Sequence, residues 1–328
     1  MRIGRIFSSR EINSQKVDLT WLILFCCFFT SSKLKYGHMS ERLDVTIITV
    51  PWNSEELIAD QIRSVGLGCQ TITHEQIVVD NGSVDRTCEI VKQDFPDVTL
   101  IRNEKNLGFA AANNIAAVRA RGEYILFLNP DMRVLKGSLD TIVSWMHEHK
   151  DVGLVSCKLV DSHRNLNKEA LPRRLPRLRD MLAMILKIPH VYEKVLDHYM
   201  MKDFNAEKEQ EVDSVRGSFM LIRKEILDTL GFAFDPRYFI WFEDVDLCRE
   251  VKKLGYRVMY TPTISCVDYV GQSFKKRNTL WKQKQFTKSM LTYFKKWEPW
   301  YVWMWLWLAR PFGIMLAWIH DVMRKRHI

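Results

Sequence analysis

The feature that most constrains this chain is a rhythm. Between Asp44 and about Cys157, short β-branched and apolar runs alternate with segments of helical period. Residues 45–50 read as a buried strand. The next helix, capped by Asn53 or Ser54, places Leu57, Ile58, Ile62 and Val65 on one face. Residues 77–79 form a second strand closed by Asp80, and a helix opened by Ser83 or Asp85 stops at Phe95-Pro96. Residues 98–102, 124–128 and 152–157 are further strands. Between them lie helices over 110–119, closed by Gly122, and over 139–149. Such alternation predicts an α/β fold, a mostly parallel sheet with helices on both faces. Ligands of these sheets sit at the carboxyl ends of the strands, where Asp80 and Asp131 fall.

The commonest phosphate cradles are missing. No G-x-G-x-x-G follows the first strand, no G-x-x-x-x-G-K-[ST] occurs, and no Ser stands in G-x-S-x-G. Dinucleotide dehydrogenases, P-loop kinases and simple α/β hydrolases thereby lose their usual machinery. What remains is a sheet edge bearing carboxylates, suited to a divalent metal and a diphosphate. Lys and Arg number 48 against 39 Asp and Glu, a formal charge of +9, so anionic partners are expected. No RNA- or DNA-binding motif accompanies that charge, which ranks phosphorylated small molecules and an acidic membrane face above nucleic acid. The seven Cys include no C-x-x-C pair, which excludes ordinary zinc spacings and argues against a disulfide framework.

Two ends differ from the core. Residues 1–38 carry an apolar run over 19–29 that is too short to span a bilayer, and Met39 opens a soluble-looking sequence that could equally be the true start. The domain proper is expected over 39–275, with a basic, Trp-rich region over 276–328. Six of the eleven Trp lie from residue 297 onward, at 297, 300, 303, 305, 307 and 318. Trp favours the membrane–water boundary, and Lys295, Lys296, Arg324, Lys325 and Arg326 suit anionic headgroups. Arg310-Pro311 interrupts the run, so an in-plane or re-entrant anchor is expected rather than a clean span, with a buried dimer helix as the alternative.

Five strings then carry a resemblance: "VVDNGSVDRT", "NEKNLGFAAANN", "GEYILFLNPDM", "GSFMLIRKEIL" and "FIWFEDVDLCREVKKLGYRV". In this order, over about residues 44–273, they resemble inverting nucleotide-sugar glycosyltransferases of the GT-A fold, family two. The likeness is greatest to the rhamnosyltransferase-like branch that builds bacterial surface polysaccharides. The resemblance implies a GT-A-type, Rossmann-like sheet and a dTDP- or UDP-sugar donor. It also implies Mg²⁺ or Mn²⁺ on the donor diphosphate, a lipid-linked or saccharide acceptor, and work at the cytoplasmic face of the cell membrane.

Residue by residue, the resemblance implies that Asp131 of "NPD" ligates the metal, Asn129 replacing the usual first acid. Asp80 would accept from the nucleobase, with Asn53 and Glu55 lining the same pocket. Pro51-Trp52-Asn53 departs from the family pattern there and removes a backbone donor. Asn106, Gly108 and Asn113 would face the nucleotide and donor sugar, and Gly217 the sugar. Asp244 would be the general base and Glu243 would position the acceptor, while Asp246 caps or pairs locally. Asp268 stands where relatives carry a metal-binding His, and residues 271–273 with Lys275, Lys276 and Arg277 could close over the diphosphate. Each position has a plainer reading: Asp131 and Asp80 as turn residues, Gly108 as a turn glycine, the acids at 243–244 as helix-start decoration. The Arg-rich stretch from Arg164 to Lys202 interrupts the alternation and reads either as an acceptor- or membrane-facing element or as a solvated linker. The departures at Pro51 and Asp268 keep a second function open, a catalytically silent, membrane-attached nucleotide-sugar-binding subunit.

Overall fold

The computed structural model describes residues 43–269 and 278–326. The expected N-terminal extension and the basic loop at 271–277 lie outside the described residues. Among the described residues, nine strands form one sheet in the order β3-β2-β1-β4-β8-β6-β9-β5, with β7 paired to β9. They are β1 (Leu43–Thr49), β2 (His74–Asp80), β3 (Thr99–Arg102), β4 (Gly122–Leu128), β5 (Met132–Val134), β6 (Val152–Val160), β7 (Gln210–Glu211), β8 (Phe219–Arg223) and β9 (Arg257–Asp268). β1, β2, β3 and β4 run parallel, and β6 and β9 run the same way. β8 enters antiparallel between β4 and β6, and β5 and β7 run against β9. The sheet is therefore mostly parallel with three reversed strands.

Alternate residues of each strand point to opposite faces, and the core divides accordingly. Ile48, Ile77, Val79, Ile125 and Phe127 pack on one side. Val45, Ile47, Tyr124 and Leu126 pack on the other. The helices are α1 (Ile58–Gly68), α2 (Thr87–Asp94), α3 (Phe109–Ala117), α4 (Ser138–Glu148), α5 (Leu178–Ile185), α6 (Lys224–Leu230), α7 (Glu243–Lys253), α8 (Thr279–Trp297) and α9 (Trp300–Arg326). α3, α6, α7 and α8 cover the first face; α4 and Val65 of α1 cover the second.

Two local expectations are corrected. Neither Asn53 nor Ser54 caps α1 with its side chain: a tight turn precedes the helix, the Ser54 carbonyl accepting from Leu57 and Ile58 N–H. Gly122 does not close α3. It opens β4, where a Cβ would lie 2.3 Å from the Thr46 backbone nitrogen, so close strand pairing demands glycine.

Helix α9 is one continuous helix through Pro311. It is long and apolar enough to cross a membrane by length and composition. Leu306 and Ala317 are buried, whereas Trp300, Trp305, Trp307 and Trp318 are each more than half exposed. Gly313 sits where a Cβ would meet Ile185 of α5 at 2.7 Å, so the two helices pack closely.

Candidate active site

The reversed strand explains the site. Because β8 runs against β4, with Leu128 paired to Phe219, its lead-in residues arrive beside the end of β4. Asn129 N–H donates to the Ser218 carbonyl at 3.1 Å. The β5–β9 register, Met132 opposite Asp268, likewise brings Asp131 beside Asp268. Arg133 secures the Asn129-Pro130-Asp131 turn by donating to the Pro130 carbonyl and to the Leu57 carbonyl at the start of α1. Helix α7 begins across from Gly217, whose N–H donates to Asp244 Oδ2 at 3.1 Å.

These junctions enclose a cavity of about 300 Å³ at the carboxyl ends of the strands. Of the residues singled out in the sequence, Asn106, Gly108, Asn129, Asp131, Gly217, Glu243, Asp244 and Asp268 line it. Asn53, Glu55, Asp80 and Asn113 are not in its wall. Asn53 has a left-handed backbone, φ 52°, and its Oδ1 accepts from Val84 N–H. Glu55 accepts from Arg86 N–H. Both side chains thus join the loop after β1 to the loop after β2. Asp80 is fully buried: Oδ2 accepts from Ser83 N–H, and the Cys88 thiol lies beside the carboxylate, pushed up to about 12 by burial and by that charge. Asn113 donates to the Phe109 carbonyl one turn back.

Gly108 does allow a close approach, but to protein. Its φ is 89°, and a Cβ would stand 2.4 Å from the Phe239 carbonyl oxygen, which accepts from Phe109 N–H. Asn81 arranges the same loop, donating to Asn106 Oδ1 and the Gly108 carbonyl and accepting from Leu107 N–H.

Two carboxylate pairs face this space, and they differ. Asp244 is half-buried and accepts from Gly217 N–H and, through Oδ1, from Val245 N–H. Glu243 is buried, and its Oε2 has no hydrogen-bond partner. Burial first, and the neighbouring Asp244 charge second, push the Glu243 carboxyl up to about 8. Trp241 and Phe242 both have left-handed backbones, φ 67° and 71°, a strained entry that turns the chain into α7. Asp246 points away from the cavity to Lys296 and Trp297 of α8. Asp131 and Asp268 are both buried, and Asp268 also accepts from Asn167 Nδ2 at 3.0 Å. Two adjacent carboxylates are a hard-oxygen donor set that fits a divalent cation whose remaining ligands come from phosphate and water. No cluster of three or more His, Cys, Asp or Glu side chains suited to a metal occurs among the described residues.

Sequence reasoning missed Glu169, Arg216, Phe239 and Trp281, all in the cavity wall. Arg216 adjoins a quoted motif and was within reach. Trp281 comes from α8, far along the chain, and no local pattern announces it.

An α/β sheet with this carboxylate-lined cavity at its strand ends defines a GT-A-type glycosyltransferase. Residues 46–231 match the glycosyl transferase family 2 model, and the chain belongs to that family. It is rhamnosyltransferase-like in sequence. It is 28% identical over 258 residues to rhamnosyltransferase WbbL of Escherichia coli, covering 73% of this chain and 90% of that protein. It is 26% identical over 210 residues to N-acetylglucosaminyl-diphospho-decaprenol L-rhamnosyltransferase of Mycobacterium tuberculosis, covering 60% of this chain and 67% of that one. Among solved structures, a mannosyltransferase from Pyrobaculum calidifontis in complex with GDP-Man and Mn²⁺ aligns with a TM-score of 0.51 at 21% identity. That alignment covers 91% of this chain and 79% of the mannosyltransferase, and shows the shared fold.

Proposed function

We propose that this chain is an inverting, metal-dependent transferase acting at the cytoplasmic face of the membrane in surface-polysaccharide synthesis. It takes a sugar from a dTDP- or UDP-sugar and delivers it to a lipid-linked saccharide. The observation that carries this reading is one cavity shared by two unlike carboxylate pairs, Asp131 with Asp268 and Glu243 with Asp244. The name of the mycobacterial relative, with its diphospho-decaprenol saccharide, supports the acceptor class.

Asp131 and Asp268 would hold Mg²⁺ or Mn²⁺, which when bound supplies charge compensation for the departing nucleoside diphosphate. An acceptor hydroxyl oxygen bonds to the sugar's anomeric carbon while the bond from that carbon to the diphosphate oxygen breaks. The hydroxyl proton passes to Asp244. Two backbone N–H groups orient that carboxylate. Glu243 retains its own proton at neutral pH and so can donate a hydrogen bond to the incoming saccharide. Asp80, fully buried and outside the cavity wall, would brace the Asn81-Gly82 turn that borders the nucleotide through Ser83 N–H, with Asn53 and Glu55 tying the neighbouring loops. Asn106 and Gly108 would border the nucleotide and Asn129 and Gly217 the sugar, with Asn113 behind them, tied to the Phe109 carbonyl.

The test is release of nucleoside diphosphate from a panel of nucleotide sugars, with a short-chain lipid diphosphate saccharide as acceptor, in Mn²⁺ and in EDTA. Metal-dependent transfer with inverted anomeric configuration is expected. Donor binding without any turnover across the panel would leave a silent sugar-nucleotide-binding protein instead.

A further inference from the structure

Beside the cavity lies a cationic cluster that the proposed chemistry does not use. Arg173, Arg174, Arg177 and Arg179 fall within seven residues, and Asp180 is the one acid adjoining them in sequence. The Nε atoms of Arg173 and Arg174 are buried without a hydrogen-bond partner. His198 lies against the same group. Its pKa is lowered by burial and then by Arg177, Arg174 and Arg179, and its Nδ1 is also buried without a partner. Asp180 offsets Arg179 alone, at 3.4 Å, so Arg173, Arg174 and Arg177 keep a local excess of positive charge, and with unpaired buried donors among them they suit an anion.

Its position indicates which anion. Arg173 exchanges backbone hydrogen bonds with Ser214 at 3.0 Å, two residues before Arg216 in the cavity wall. Arg173 also donates to the carbonyl of Glu169, another wall residue, at 3.3 Å. Its guanidinium lies over the Tyr199 ring at 5.8 Å, and the Tyr199 hydroxyl feels the Asp244 charge. On its other side the cluster leads into α5, whose Ile185 packs against Gly313 of the apolar helix α9. The order in space is therefore sugar cavity, arginine cluster, apolar helix. An amphiphile with its diphosphate between saccharide and hydrocarbon chain has the same order.

We propose that Arg173, Arg174 and Arg177 form the binding site for the diphosphate of the lipid-linked acceptor, separate from the donor diphosphate site at Asp131 and Asp268. This assignment rests on the lipid-acceptor reading above. Arginine is suited to the task, because its planar fork meets two phosphate oxygens at once.

The experiment compares the full chain with Arg174→Gln and with Arg177→Gln, the latter at an exposed position where no packing is lost. Binding of inorganic pyrophosphate and of a short isoprenyl diphosphate is measured by tryptophan fluorescence in EDTA, which removes metal-dependent binding at the donor site. Each variant should weaken binding of the isoprenyl diphosphate roughly tenfold or more, since a charge-assisted bond to phosphate is lost. Each should also raise KM for a lipid diphosphate saccharide while donor hydrolysis without acceptor is unchanged. Unchanged isoprenyl diphosphate binding in both variants would overturn the site. So would weakened binding with an unaltered acceptor KM. Equal wild-type affinity for pyrophosphate and the isoprenyl compound would assign the cluster to a soluble anion and overturn the lipid assignment. Failure of the underlying acceptor reading has a different signature: wild type would then use a phosphate-free glycoside as well as the lipid diphosphate saccharide.

Discussion

Asp244 and Glu243 are neighbours in sequence with opposite environments, and the difference makes separable predictions. Asp244→Asn preserves shape and the capacity to accept from Gly217 N–H but cannot take a proton. A general base typically contributes about 10²–10⁴-fold, so transfer should fall by that order while donor affinity, read by titration calorimetry, barely moves. Glu243→Gln keeps a hydrogen-bond donor where the protonated acid had one, and should cost much less. Near-normal transfer by Asp244→Asn with a dead Glu243→Gln would shift the base by one residue. Glu243 also makes a prediction about stability. Its folded pKa, about 8, stands above the ordinary 4.5. The folded state therefore binds the extra proton, and the stability this confers is present at low pH and lost as pH rises from about 4.5 through about 8. Urea midpoints of the wild type should decline over that window relative to those of Glu243→Gln. Parallel curves would show that the carboxyl is already ionised. The motif "FIWFEDVDLC" was enough to locate this pair, but not to say which acid keeps its proton, because desolvation depends on what packs above it from other elements.

At the scale of elements, α7 is held by α8 rather than by its own cap. Lys296 of α8 reaches Asp246 at 2.6 Å, Glu250 at 2.8 Å and Asp235 at 3.3 Å. Arg237 also pairs with Asp235 and helps hold its carboxyl down at about 2. Replacing Lys296 by Met would leave the buried Asp246 without its cation, and breaking a buried pair from one side costs about 3–5 kcal/mol. A thermal midpoint lower by several degrees is expected, together with loss of transfer as the start of α7 shifts. An unchanged midpoint would mean that the pair is not formed in solution. Gly108 makes a second test of element positioning. With φ 89° and the Phe239 carbonyl 2.4 Å from a would-be Cβ, Gly108→Ala should separate the loop from the 239–242 segment. Donor KM should rise by an order of magnitude or more, with the sheet still folded by circular dichroism. A KM within twofold of wild type would remove that loop from the donor site. Sequence pattern was sufficient to foresee the strands and helices around Gly108, yet its partner lies more than a hundred residues away, beyond any local signal.

For the molecule as a whole, the outward Trp residues of α9 bear on where it works. Trp305, Trp307 and Trp318 are more than half exposed, while Leu306 and Ala317 face inward. Replacing these three Trp by Ser should leave the packed face intact and reduce co-sedimentation with anionic phospholipid vesicles at least tenfold, given roughly 2 kcal/mol for burying each large apolar side chain. If co-sedimentation persists, attachment lies elsewhere in the chain. Sequence by itself determined the α/β rhythm, the two faces of each strand, the carboxylates at strand ends and the apolar tail, because those follow from period, propensity and composition. Tertiary structure decided the rest. It reversed β8, so that Gly217 meets Asp244, and set β5 beside β9, so that Asp131 meets Asp268. It turned Asn53 and Glu55 into loop ties and buried Glu243 deeply enough to push its carboxyl up. The physical reason is common to all four: each outcome depends on which distant backbone pairs with which and on how much water the pairing excludes, and neither quantity is written in a local stretch of residues.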